Sequence, residues 1–377
     1  YFNNARSVKI RVLAINVLSG TLATFLPLLK VENRMVINRV LSMNCTNDAV
    51  KTVTAIDSVS SKGILIASWG AANPAQEYDL EWTFIDQAAL DAGWYNTSGV
   101  PDPEKIFRNN ATRVSIVQTM YKIPMLYDGD GKIFFRVRGA QMAVNGQRYT
   151  TAWSSGYVAQ GGLGQYTYTG HERKLNWQAT TSFAEEGKRK SVVQYFDGTL
   201  RSRQTVTKDN ITDTTIVAET FYDKQGRSVI EVLPAPSLTA LIKYNTKYNV
   251  YGVDTEYTKN LYDTLYSPAD YCSLAAPPMD SVSGASKYYS YNNQNKLVEF
   301  NKYIPQALEY PFTQVKYTQD NTGRISGQSG VSPVFKLGTG HETKYYYGTP
   351  EQSDLDALFG TEAGYASHYQ KNMVRDA

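Results

Sequence analysis

Residues Tyr222-Asp223-Lys224-Gln225-Gly226-Arg227 put an aromatic, an acid, a glycine and an arginine within six positions. Such a set could form the edge of an active site, with the carboxylate handling a proton. It could equally punctuate a turn. Recurrence separates the two readings. "QYFDGTLRSRQTV" carries Phe196, Asp197 and Arg201 at the same spacing, with Leu200 where Gly226 stands. "SYNNQNKLVEF" offers Tyr291, Asn292, Asn295 and Lys296, and "YTQDNTGRISG" offers Tyr317, Asp320, Gly323 and Arg324. A weaker echo lies at Tyr262-Asp263. Recurrence at intervals of roughly 20–50 residues marks a repeat architecture, and a catalytic acid needs no copies with drifting chemistry. Each copy makes sense as a hairpin: Asp or Asn bonds the amides of its own turn, Gly or Asn accepts a positive φ, and the flanking residues alternate.

Other chemistry-bearing patterns are weaker. Asp128 and Asp130 in "YDGDGKIFF" have a calcium-like spacing, but Ile133 and Gly139 hold the places of the required Gly and Glu. A hairpin turn between two strands is the expectation there. The histidines, His171, His341 and His368, make no helical metal pair. "AQGGLGQYTYTG" lacks the strand and helix that a phosphate loop requires and reads as a linker. Cys45 and Cys272 match no metal or redox spacing; a disulfide and two unrelated thiols both fit. No cofactor is expected.

The elements that must position these residues are strands. The chain has 377 residues, including 29 tyrosines, and a formal charge of +3. Tyr, Thr and Val favour sheets, and the near balance of charge gives no basis for nucleic acid as a partner. Val12 to Leu29 carries no charge, but Asn16, Gly20 and Pro27 interrupt it. It reads as two strands around a Leu-Ser-Gly turn, not as a transmembrane span. Residues 1–48 read as an incomplete β unit, 49–160 as a β-sandwich, 161–170 as a Gly-rich linker and 171–377 as the repeat region. "TPEQSDLDALFG" (349–360) is the clear helix, with Pro350 in its first turn, Gly360 at its end, and Leu355, Leu358 and Phe359 as its packed face.

The Trp69 strand, "YDLEW", "FFRVRGAQMAVNGQRYTTAWSS" and their order resemble fibronectin type III domains, with Ile133 where that family usually carries a tyrosine. The later copies resemble the YD repeat of Rhs proteins. "LNWQATTSFAEEGKRKSVVQYFDGTLRSRQTVTKDN" and "GTGHETKYYYGTPEQSDLDALFGTEAGYASHYQKNMVRDA" are similar to Rhs regions of large surface proteins of Bacteroidota.

The resemblance implies a mostly β chain, a fibronectin-like sandwich followed by a hairpin sheet that forms part of a hollow shell. It implies an extracellular or cell-surface location, export by the type 9 route, and no enzymatic activity. The partners it implies are the rest of a longer polypeptide, secretion machinery or other surface proteins. Its alternatives are the delivery shell of a polymorphic toxin and a carbohydrate-binding module. It also implies weak O-glycan acceptor patterns at Ser58, Thr214, Thr264 and Ser281.

Overall fold

Runs of β-branched and aromatic residues between turn residues make the chain mostly β, with large antiparallel sheets and few helices. The computed structural model describes residues 11–30, 53–56, 64–71, 75–90, 93–108, 110–142, 146–154, 164–237, 239–263 and 275–377. Ser58, Thr264, Cys45 and Cys272 lie outside the described residues, as do residues 1–10 and 31–48 of the expected incomplete β unit. The chain divides into two units. One holds 1–55, 66–121 and 132–167; the other holds 56–65, 122–131 and 168–377. No helix among the described residues is long and apolar enough to cross a membrane.

Strands β1 (Val53–Ile56), β2 (Ile64–Ser68) and β5 (Met120–Pro124) form a three-stranded sheet in the order β1-β2-β5. Strands β3 (Glu77–Asp86), β4 (Thr112–Ile116), β6 (Gly131–Met142) and β7 (Arg148–Thr150) form a second sheet, with β8 (Gly164–Tyr168) on β6. Tyr78, Leu80 and Trp82 alternate into the core from β3, and Trp82 meets Tyr121 with ring centroids 5.7 Å apart. This is the pattern of a β-sandwich. Ile133, in the tyrosine's place, is fully buried.

Three expectations need correction here. The linker is in part strand β8, because Gln165-Tyr166-Thr167-Tyr168 suits a sheet and a side chain on Gly164 would collide with the Phe135 ring. The Asp128–Asp130 turn joins strands of different sheets and is not a hairpin; Arg173 holds Asp130 through both carboxylate oxygens at 3.0 Å. Neither strand expected around the Leu-Ser-Gly turn forms: residues 11–17 carry no strand, and residues 18–28 bend into a short helix, Leu22–Phe25, and a 3-10 turn. Leu and Ala are good helix formers, and Thr21 opens that helix.

The second unit is built on β9 (Asn176–Phe183), β10 (Arg189–Phe196), β11 (Ser202–Asp209), β12 (Thr214–Tyr222), β13 (Ser228–Val232), β14 (Ala235–Pro236), β15 (Val250–Tyr251), β16 (Thr255–Glu256), β17 (Phe312–Tyr317), β18 (Ile325–Gln328), β19 (Thr343–Gly348) and β20 (Lys371–Arg375). The main sheet runs β20-β19-β18-β17-β13-β12-β11-β10-β9, with β14 on β12 and β15 paired to β16 alone. Among the described residues, no sheet closes into a barrel. One face packs Val193, Tyr195, Val206, Val217, Phe221 and Ile230 against residues of the 233–311 excursion, including Tyr257, Met279 and Ala285. That excursion is anchored by Glu219, which is buried and accepts hydrogen bonds from Gln204 and Asn249.

The helix expected at 349–360 spans Gln352–Phe359 and stops at Gly360 with φ 80°. Glu351 is its N-cap, so Pro350 lies before the helix. Leu355 is buried, but Leu358 and Phe359 are exposed, so the packed face is narrower than the sequence suggests.

Candidate functional site

The recurring residues converge on one end of the ten-stranded sheet. Between β10 and β11, Asp197 accepts from the Thr199 amide at 2.8 Å, the Arg201 amide at 3.1 Å and Arg201 Nε at 3.1 Å. The backbone closes the turn between the Asp197 amide and the Arg201 carbonyl at 2.9 Å. Between β12 and β13, Asp223 does the same: it accepts from the Arg227 amide at 2.9 Å and from Arg227 Nε at 2.7 Å. Gly226 has φ 84° and Leu200, its counterpart, φ 61°. The aspartate of each turn thus clasps the arginine four residues on, and the residue between them takes the left-handed backbone that favours glycine.

The β17–β18 turn is two residues longer and looser. Asp320 accepts from Thr318 Oγ1 and Thr322 Oγ1 at 2.6 Å, and its carboxylate stands 3.8 Å from Arg324 Nη2. Gly323 has φ 73°. A bulge sits at the same place in each hairpin, at Tyr195/Phe196, Phe221/Tyr222 and Lys316/Tyr317.

Each clasped arginine also lies over a tyrosine. Arg201 covers the ring of Tyr222 at 4.9 Å, Arg227 that of Tyr317 at 4.2 Å, and Arg324 that of Tyr347 at 5.1 Å. The tyrosine hydroxyl then donates to the carbonyl just after that arginine: Tyr222 to Ser202 at 2.9 Å, Tyr317 to Ser228 at 2.7 Å, Tyr347 to Ile325 at 2.8 Å. Strand register explains the rule. β11 pairs Gln204 with Glu219, β13 pairs Ile230 with Gln314, and β18 pairs Gly327 with Lys344. Carried three residues toward the turns, those registers set each arginine opposite its tyrosine. The tyrosine of one motif therefore belongs to the clasp before it, and each hairpin is latched to the next by a cation–π contact and a hydrogen bond.

Phe196 occupies the tyrosine position of the first motif and lacks the hydroxyl. Tyr347 leads into the 349–370 segment instead of another Asp–Arg turn.

Electrostatics follow the geometry. Burial pushes Asp197 upward, but hydrogen bonds from Thr199 and Arg201 and the arginine charge outweigh it and hold the carboxyl at about 2. The Thr318 and Thr322 hydroxyls hold Asp320 well below the usual carboxylate range. Burial raises Tyr222 and Tyr317, reinforced by Asp197 and Asp223 respectively. Asp197 and Asp320 are thus held as anions, and Tyr222 and Tyr317 as neutral donors. That suits a structural latch and not proton transfer near neutrality.

Tyr291 and Asn292 do not join the ladder. The residues before them end the short helix Gly284–Tyr288, which removes the first arm of any hairpin, and Asn292 donates its amide to Ser281 instead of facing Lys296. Tyr262-Asp263 ends a short helix, Asn260–Asp263. Of the glycan patterns, Thr214 is exposed at the start of β12, and Ser281 is half-buried.

A second polar constellation lies in the other unit. Asp79 is buried and accepts from Arg138 Nε at 2.8 Å, Arg148 Nη2 at 2.7 Å and Ser115 Oγ at 2.7 Å. Glu81 is held by Arg136 and Arg113. Trp153 lies beneath Arg113, Arg136 and Arg138 at 5.2, 4.5 and 4.4 Å. Burial raises the Asp79 carboxyl, but the Arg148, Ser115 and Arg138 hydrogen bonds overcome this and hold it at about 2. The alternation of Glu77, Asp79 and Glu81 along one strand and Arg136 and Arg138 along another was the available signal. Among the described residues, no group of His, Cys, Asp and Glu could hold a metal ion.

Residues 166–273 match a family described as a domain of unknown function, DUF6443, which spans β9 to β16 and the first two clasps. No curated protein matches the chain, and no solved structure does.

Proposed function

We propose that this chain is a structural, non-enzymatic part of an exported surface protein, and that its clasped hairpins form the wall of an Rhs-type β shell. One observation carries the reading: three successive turns at the same end of the sheet latch to their neighbours by the same arginine–tyrosine rung. A latch that ties each hairpin to the next lets a sheet grow by repetition, as a shell wall must. The aspartates, each taken up by hydrogen bonds within its own turn, support a mechanical role. The wall serves encapsulation, adhesion or surface display, and Bacteroidota origin and type 9 export belong to the same reading.

The test is protease shaving of intact cells that make the full polypeptide, followed by detection with an antibody to the clasped sheet. Loss of the signal from intact cells is the expected result. A signal lost only after lysis ends the surface reading. Imaging of the full polypeptide then tests the shell, which requires the ladder to continue into further hairpins.

A further inference from the structure

One stretch of the sequence serves neither the sandwich nor the ladder. Residues 12–29 carry no charge. They pair with no strand among the described residues. Their backbone bonds close within the stretch, from the Thr24 amide to Thr21, from Leu26 to Leu22 and from Leu29 to Leu26. Yet the stretch is rich in leucine, and its leucines face outward. Leu18 is fully exposed, Leu13 84% and Leu28 78%, and Ile15, Leu22 and Leu26 are exposed too. Single exposed apolar side chains are ordinary; a continuous run of them marks an interaction surface.

Charge and spacing identify what the run meets. Residues 1–31 include Arg6, Lys9, Arg11 and Lys30 and no acid. Cations beside an apolar segment complement a bilayer that carries anionic headgroups. Within the run, Ile15, Leu18, Leu22 and Leu26 have the spacing of one helical face, and Asn16, Gly20, Ala23 and Thr24 fall on the opposite face. In the structure one turn of that helix is present, Leu22–Phe25, followed by a 3-10 turn. Gly20 weakens the rest, Pro27 limits its length, and a helix this short is marginal in water.

We propose that residues 12–29 are an interfacial membrane-binding segment, which completes an amphipathic helix on a bilayer bearing anionic lipid. A helix over 15–26 rises about 18 Å. The hydrocarbon core is about 30 Å thick, so the helix lies in the interface and does not span it. Its leucine face enters the acyl boundary, Asn16 and Thr24 stay among the headgroups, and Arg11 meets lipid phosphate. The bilayer supplies the burial that the chain itself does not, so the helix extends beyond its one turn only there. This inference goes beyond the shell reading and stands independently of it.

The test is co-sedimentation of the whole chain with vesicles of mixed phosphatidylglycerol and phosphatidylcholine, beside vesicles of phosphatidylcholine alone. The chain should pellet with the anionic vesicles and far less with the neutral ones, and its amide exchange at 15–26 should slow when it is bound. The double variant Leu18→Asp, Leu22→Asp should abolish binding. Arg11→Gln should weaken it about fivefold, the share of one cation near an anionic surface. Both variants should keep the wild-type Tm, because these side chains are exposed. A chain left in solution by anionic vesicles overturns the proposal, as does equal binding to both kinds or binding indifferent to the double variant. Pelleting without vesicles would assign the run to association between copies and overturn it too.

Discussion

Arginine is used in two ways in this molecule. In the first unit Arg136, Arg138 and Arg148 reach acids on other strands, and Trp153 collects three guanidinium groups. In the second, Arg201 and Arg227 pair with an aspartate four residues earlier and stack on a tyrosine of the next strand. The first arrangement is long-range throughout. The second is local in its ion pair and long-range only in its ring. A network of the first kind fixes one fold; a clasp of the second kind can be repeated because each turn carries its own charge pair.

This difference should appear first in the cost of losing an acid. Asp79 is almost fully buried beneath Arg138 and Arg148. Asp79→Ala takes the buried acceptor from Arg138 and leaves Arg148 with Glu77, and should cost about 3 kcal/mol, read as a fall in the denaturant midpoint of the first unit. A loss no greater than that of a clasp variant would erase the distinction between the two arrangements.

Within the ladder, Arg227→Ala removes charge-assisted hydrogen bonds to Asp223 and the cover of Tyr317, and should cost about 1.5–3 kcal/mol. A double-mutant cycle between Arg227→Ala and Tyr317→Phe separates the parts. Phenylalanine keeps the ring and loses the bond to the Ser228 carbonyl, so the coupling it reports is the hydroxyl's share. Absence of coupling would mean that ring and hydroxyl act separately.

The contrast also explains what could be read from sequence. The Asp–Arg pairs were legible because their spacing is fixed by one turn, as were the strand alternations of Tyr78, Leu80 and Trp82. The partnership of Tyr317 with Arg227 was not, because 233–311 intervenes between β13 and β17 and the register crosses that gap. The alternating acids and arginines of the first unit were legible, but Trp153 was not, because its ring meets arginines carried by two different strands. Tyr291 shows the opposite failure. Its spacing is right, but a hairpin needs an extended first arm, and Gly284–Tyr288 coils into a helix instead.

Acid should weaken both arrangements. Asp79 and Asp197 are held at about 2 against an ordinary 3.8. A depressed carboxylate contributes stability above its unfolded pKa, and that contribution is lost as pH falls through the folded one. Stability should therefore hold down to about pH 4 and drop between about 4 and 2, followed by tryptophan fluorescence for the first unit and circular dichroism for the sheet. Asp197→Asn should flatten its share of that drop. A profile unchanged by this variant would remove Asp197 from the clasp's acid response.

The smallest effect gives the sharpest test of the repeat itself. Leu200 and Gly226 hold the same turn position, with φ 61° and 84°. A left-handed backbone costs an L residue about 1–2 kcal/mol, while glycine adds about 0.4–1 kcal/mol of entropy to the unfolded chain. Leu200→Gly should therefore stabilise the first hairpin by roughly 0.5–1 kcal/mol, the difference of those terms. Gly226→Leu should destabilise the second by at least as much, because a Cβ there would also stand 2.6 Å from Arg201 Nη1 and disturb the neighbouring clasp. Opposite signs at equivalent positions are what a single repeated clasp requires. If both substitutions destabilise, the first turn has a geometry of its own that Leu200 has come to fit, and the two hairpins are alike in spacing only.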